Sequence, residues 1–198
     1  MKKIVIIGAG AMGSAFAVPS IENKNDVTIV GTHLENELID SIISNQIHPT
    51  LKIKLPKEIK FEKFEKLQAI LDKDLDIIVC GVSSVGIEWF VDQISKSYKN
   101  NNSIVLLTKG LSIFNNELTT LSDKIKRLLK NEGHSKINIS AIKGPCLAAG
   151  LANKMRTGTV IANKDIKESQ SLKETISTNY FINKRLINTW QWTYYTFR

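Results

Sequence analysis

The sequence predicts an α/β protein built on a doubly wound parallel sheet of the Rossmann type, and three observations carry that prediction. Short β-branched runs alternate with longer helical stretches along most of the 198 residues. The first run ends at a glycine, and the hexapeptide G-A-G-A-M-G starts there. With 42% hydrophobic and 23% charged residues the chain is not disordered, and no apolar run approaches the ~20 residues that span a bilayer.

The elements follow in order. Lys2 to Ile7 is an apolar strand of the kind buried on both faces, and a helix is expected from Ala11 to Glu22. Val27 to Val30 is the second strand. Leu34, Leu38, Ile39, Ile42 and Ile43 then share one helical face. A strand at Ile59 to Phe61 and a helix at Phe64 to Leu71 precede the strong strand Asp76 to Gly81. Helix Val85 to Lys96, strand Ile104 to Leu107, helix Glu117 to Leu129 and strands Ile137 to Ile142 and Thr157 to Ala162 complete the alternation. Strands joined by helical crossovers lie parallel. Residues 1–182 are expected to form one dinucleotide-binding domain. Residues 183–198, NKRLINTWQWTYYTFR, carry no periodicity and read as an aberrant tail.

Net charge is +8, but only 4 of the 27 basic residues are Arg, and the Lys-rich stretch from Lys52 to Lys66 is interleaved with Glu58, Glu62 and Glu65. Mild affinity for anions is expected; a nucleic-acid or membrane partner is not. Cys80 and Cys146, with no CxxC, make neither a disulfide framework nor a metal site and read as small buried residues. A cytoplasmic location is the expectation.

Gly8, Gly10 and Gly13 stand between the first strand and its helix. The first glycine allows the tight turn, the second lets a pyrophosphate approach the backbone, and the third lets helix and strand pack closely, with the anion on the helix N-terminus. A nicotinamide dinucleotide, NAD(P)H, is therefore the expected cofactor. At the end of the second strand stand Val30, Gly31, Thr32 and His33, with no carboxylate to repel a 2′-phosphate. Thr32 and His33 offer it hydrogen bonds, which tilts the expectation slightly to NADP(H); His33 reads equally as a surface histidine. Ligands bind outside the carboxyl ends of such strands. That picks out Val82 to Ser84, Thr108 to Gly110 and Lys143 to Cys146, with Lys109 the sharpest candidate because its ammonium suits a phosphate or a developing alkoxide.

The segments G-A-G-A-M-G, V-G-T-H-L, H-P followed by L-P, G-V-S-S, L-T-K-G-L and G-P-C-L-A together resemble the soluble nicotinamide-dependent sn-glycerol-3-phosphate dehydrogenases. The resemblance implies hydride transfer between NAD(P)H and dihydroxyacetone phosphate, giving glycerol 3-phosphate. It implies cofactor contacts at Gly8, Gly10, Ala11, Met12, Gly13, Lys109 and Ala148, and substrate contacts at Lys109, Gly144 and Cys146. Lys109 would be catalytic, and Cys146 stands where Ser is usual. In that family the general acid lysine and the phosphate clamp lie on a helical C-terminal domain. The chain stops before it, Lys184 does not stand in the matching motif, and a truncated or impaired form with little activity alone is expected. A homodimer is compatible with all of this. The alternatives are a non-catalytic dinucleotide-binding protein and another two-domain reductase of the ketopantoate or hydroxyacid type, the latter opposed by T-K-G-L and G-P-C-L-A.

Overall fold

The computed structural model describes residues 1–186. From the amino terminus run β1 (Lys3–Ile7), α1 (Ala11–Glu22), β2 (Asp26–Val30), α2 (Asn36–Asn45), the short pair β3 (Ile47–His48) and β4 (Ile53–Lys54), β5 (Lys60–Glu62) and α3 (Leu67–Leu71). Then come β6 (Ile77–Cys80), α4 (Ile87–Ser95), β7 (Ser103–Leu106), β8 (Leu111–Phe114), β9 (Glu117–Thr120) and α5 (Leu121–Asn131). β10 (Asn138–Lys143), α6 (Ala148–Ala152), β11 (Thr157–Ala162), α7 (Ile166–Ile176) and β12 (Phe181–Leu186) follow.

Eight strands make one sheet in the order β12-β11-β10-β7-β6-β1-β2-β5. The run β5-β2-β1-β6-β7-β10 is parallel throughout, and chain order reverses between β1 and β6. That reversal is the crevice where open α/β sheets take their ligands. Alternation along β1 supplies both faces of the core. Ile4 and Ile6 pack with Phe16 of α1, Ile39 of α2 and Leu172 of α7, whereas Val5 and Ile7 pack with Phe90 of α4 and Ile125 of α5. Each such side chain is worth roughly 2 kcal/mol of burial. No helix among the described residues is long and apolar enough to cross a membrane.

Several elements differ from expectation. β11 runs antiparallel to β10. The 5 residues of α6 rise only about 7.5 Å, less than half the length of a 6-residue strand, so the chain re-enters the sheet from the end it left. Residues 117–120 belong not to a helix but to a hairpin with β8. Asn115 and Asn116 at positive φ form its turn, and the helix begins only after Thr120, whose side chain accepts from the Asp123 N–H. Beyond 162, α7 and β12 add elements with no sequence assignment. β12 runs across the division expected at 182, its Phe181 meeting Phe16 edge to face at 6.3 Å. The unperiodic reading of the tail otherwise falls on residues 187–198, outside the described residues.

β1, β2 and β6 finish level, with Ile7 opposite Val30 on one side and Cys80 on the other. Gly8 follows at φ +108, where a Cβ would lie 2.9 Å from the Gly81 backbone. A Cβ on Gly13 would lie 2.2 Å from the Gly8 carbonyl oxygen. The first turn of α1 therefore sits on the end of β1 with no room between them. A Cβ on Gly10 would meet only a Glu35 carboxylate oxygen at 3.7 Å. Gly13→Ala should accordingly cost at least about 2 kcal/mol in urea unfolding, and Gly10→Ala less than about 1 kcal/mol. Equal losses at the two positions would contradict this packing.

Candidate active site

The turn between β1 and α1 is held from several directions. Ser14 Oγ donates to the Ala9 carbonyl at 2.9 Å. His48, fully buried in the β3–β4 hairpin, places Nε2 3.0 Å from the same oxygen. Its Nδ1 accepts from the Leu51 N–H at 3.2 Å, so Nε2 is the nitrogen that donates. On the other side of the peptide, Glu35 Oε2 accepts from the Ala9 N–H at 3.1 Å and the Thr32 N–H at 2.8 Å. Ala9 is pinned at both ends.

Glu35 corrects the expectation that no carboxylate stands at the end of β2. The chain turns at Thr32, whose carbonyl accepts from the Glu35 N–H at 2.9 Å. Glu35 is the residue just before α2, and the turn folds its side chain back to the strand end. An acidic residue about 20 positions after the glycines was the available signal; Glu35 stands 22 after Gly13. Thr32 has its N–H taken by Glu35, and its Oγ1 lies 3.4 Å from the Leu34 N–H. His33 is exposed and packs with Phe64 and Trp89, ring centroids 6.0 and 5.4 Å away.

The cofactor-side backbone is free of capping. Gly10 precedes α1 without a side-chain cap, and the first acceptor it supplies is its own carbonyl to the Ser14 N–H at 3.0 Å. The N–H groups of Ala11, Met12 and Gly13 therefore face outward from the first turn with no intrahelical partner. With no backbone within 4 Å of where a Gly10 Cβ would stand and only Glu35 Oε1 near it, at 3.7 Å, this cradle fits the pyrophosphate of a dinucleotide.

The neighbouring strand ends are knitted together by lysines. Lys109, after β7, donates from Nζ to the Gly144 carbonyl at 2.7 Å, and Lys143, at the end of β10, donates to the Thr108 carbonyl at 3.3 Å. Each ammonium thus binds the backbone beside the other. Burial, then the nearby Lys109, pushes the Lys143 ammonium below the usual lysine range. Thr108 Oγ1 donates to the Val82 carbonyl at 2.6 Å. Gly144 adopts φ +122 against Thr159. Cys146 is buried, its thiol pushed up by burial and pulled down less by Lys109, so it is a neutral group at neutral pH. Cys80 is buried too, its thiol pushed up to about 12 by burial. Lys109, Lys143, Gly144 and Cys146 share one narrow crevice with the apolar Met12, Phe16, Leu107, Ile142, Leu151 and Phe181. Ala148 opens α6, which packs on α1. Roomier hollows, of ≈ 290 and ≈ 300 Å³, lie at the amino ends of the strands, beside Asp76 and Asn138 and beside Asp26 and Lys60. Their edge of the sheet lacks the glycine turn and the free helix N-terminus, so the carboxyl edge is the chemical one.

Fold, glycine turn and uncapped helix define a dinucleotide-binding protein of the Rossmann class. Residues 3–169 match the family described as NAD-dependent glycerol-3-phosphate dehydrogenase N-terminus, and the chain belongs to that family. It is 33% identical over 178 residues to the NADP(+)-dependent glycerol-3-phosphate dehydrogenase of Archaeoglobus fulgidus, covering 90% of this chain and 51% of that one. It is 32% identical over 182 residues to the glycerol-3-phosphate dehydrogenase [NAD(P)+] of Mesoplasma florum, covering 91% of this chain and 52% of that one. The chain spans about half the length of these relatives. The solved glycerol-3-phosphate dehydrogenase of Plasmodium falciparum superposes with a TM-score of 0.81 at 22% identity, over 95% of this chain and 53% of that one, a likeness of fold.

Gly10→Val fills the cradle while leaving the backbone unstrained, since Gly10 sits at φ −59. The variant should keep the wild-type circular dichroism and lose NADH binding by at least about tenfold in a cofactor-fluorescence titration, the clash landing where the pyrophosphate must approach. Equal affinity would remove the turn from the binding site.

Proposed function

We propose that this chain is the cofactor-binding and part of the substrate-binding machinery of an NAD(P)-dependent glycerol-3-phosphate dehydrogenase, interconverting dihydroxyacetone phosphate and sn-glycerol 3-phosphate. The observation that carries the proposal is the placement of Lys109 and Lys143 at one crevice beside the glycine turn. Both named relatives above act on glycerol 3-phosphate with NADP(+) or NAD(P)+. When bound, the reduced nicotinamide supplies the hydride.

The chain's own residues then divide the work. The N–H groups of Ala11 and Met12 hold the pyrophosphate, and Gly8 and Gly13 keep them aimed. Two ammonium groups at one crevice repel each other. A phosphorylated substrate relieves that repulsion and offsets the burial cost of Lys143, so the crevice favours a small anion. As the carbonyl of dihydroxyacetone phosphate accepts hydride, negative charge grows on its oxygen. Lys109 stabilises it by exchanging its bond to the Gly144 carbonyl for one to the substrate, and the proton that completes the alcohol comes from the general acid that the resemblance assigns to the C-terminal domain. Gly144 and Cys146 line the substrate side, and Ala148 flanks the cofactor.

A fusion of this chain to the C-terminal half of the Archaeoglobus fulgidus relative should oxidise NAD(P)H in the presence of dihydroxyacetone phosphate and release glycerol 3-phosphate. In that fusion Lys109→Ala should lower kcat/KM by about 10² or more. A fusion that binds cofactor but gives no turnover contradicts the proposed activity, and unchanged kinetics of the variant returns Lys109 to the surface.

A further inference from the structure

Lys109 and Lys143 share a crevice but are held differently. Lys109 Nζ donates to the Gly144 carbonyl at 2.7 Å, whereas Lys143 Nζ makes only a long contact, 3.3 Å, with the Thr108 carbonyl. Among the described residues that line the crevice there is no carboxylate, and the thiol of Cys146 is neutral. Phe16, Leu107, Ile142 and Phe181 offer no side-chain acceptor. Surface lysines are held otherwise: Lys2, Lys60 and Lys63 each meet a carboxylate at 2.8 Å or less, which keeps them protonated. Lys143 is half-buried, has only a neutral carbonyl to donate to, and stands beside a second cation. Burial and Lys109 both push its ammonium down, which raises the share of the free, nucleophilic amine.

We infer that Lys143 is a covalent capture site for small phosphorylated ketones, its amine condensing with the carbonyl carbon while Lys109 polarises the carbonyl oxygen. The inference rests on the reading of the crevice as a place for such a ketone. The neutral Nζ forms a bond to the carbonyl carbon, and one of its protons passes to the carbonyl oxygen. The resulting carbinolamine expels that oxygen with the second amine proton as water, leaving a C=N bond. Nothing is oxidised or reduced, and hydrolysis reverses the step. The positive crevice concentrates an anionic ketone over a neutral one. The adduct occupies the crevice until water releases it, so Lys143 is a reversible brake set by the concentration of the ketone.

The test is incubation of the 198-residue chain with dihydroxyacetone phosphate and cyanoborohydride at neutral pH, followed by peptide mass mapping. Cyanoborohydride delivers hydride to the imine carbon and fixes the adduct as a secondary amine, heavier by the mass of the ketone less one oxygen atom. Lys143 should be labelled about tenfold or more faster than the carboxylate-paired Lys2 and Lys60, as its larger share of free amine implies. Dihydroxyacetone, which lacks the phosphate, should label it at least about threefold more slowly. Lys143→Arg keeps the charge, forms no imine and should lose the adduct, and Lys109→Gln should slow labelling of Lys143 by about threefold or more. Labelling of Lys143 no faster than of Lys2 and Lys60 overturns the inference whether or not the variants fold. Equal labelling by the two ketones, or unchanged labelling in a folded K109Q, also overturns it. Turnover by the fusion to the C-terminal half with its Lys143 unmodified overturns the inference and leaves the proposed activity standing. A Lys143 adduct in a fusion without turnover does the reverse.

Discussion

The contact between Gly13 and the Gly8 carbonyl is the constraint on which the rest of this structure depends. A helix can deliver its free N–H groups to a ligand only if its first turn is brought to the sheet's edge and stopped there. At that spot any Cβ would stand 2.2 Å from an oxygen, so packing and chemistry require the same bare backbone. Three level strand ends make the platform, and the Ala9 peptide locks it. Its carbonyl is held by Ser14 and His48, its N–H by Glu35. The turn is thus organised before any ligand arrives, which reduces the ordering cost of binding.

The same edge shows how a chain of net charge +8 can carry uncompensated positive charge at one place while much of its surface charge is paired. Surface lysines such as Lys2, Lys60 and Lys63 are tied to Asp76, Asp26 and Asp40. Exposed pairs of this kind add little stability but neutralise their surroundings. Lys109 and Lys143 are bonded instead to neutral backbone carbonyls, so their charge is not cancelled locally. Net charge is a poor guide here; the partner of each ammonium is the informative quantity.

Most of the sheet was legible in the sequence, because parallel buried strands are local β-branched runs and each ends in a recognisable turn. The positions of the glycine turn, of Lys109 and of the β10 end at the carboxyl edge were legible for the same reason. The β8–β9 hairpin was harder, since Glu117 to Leu129 is mostly helix-forming, with Thr119 and Thr120 the exceptions. Only the Asn115–Asn116 pair and the Thr120 cap mark where the helix starts. The direction of β11 depended on the length of α6, a boundary that composition does not mark. Glu35 and His48 were missed because each reaches Ala9 across 26 and 39 positions of sequence. Contacts of that span follow from how elements pack; the spacing of Glu35 from the glycines was the one signal, and nothing local announced His48.

The central claim is that the carboxyl edge, at the β1–α1 turn, is where this protein meets its cofactor. Amide chemical-shift mapping of the uniformly labelled chain during NADH titration tests it most directly, because the two edges of the sheet carry different residues. The expected result is saturable shifts, largest at Ala9, Ala11, Met12, Gly13 and Thr32, with smaller ones at Lys109 and Gly144. Shifts centred instead on Lys2, Asn102, Ser103 and Asn138, which line the hollow at the opposite edge, would contradict it.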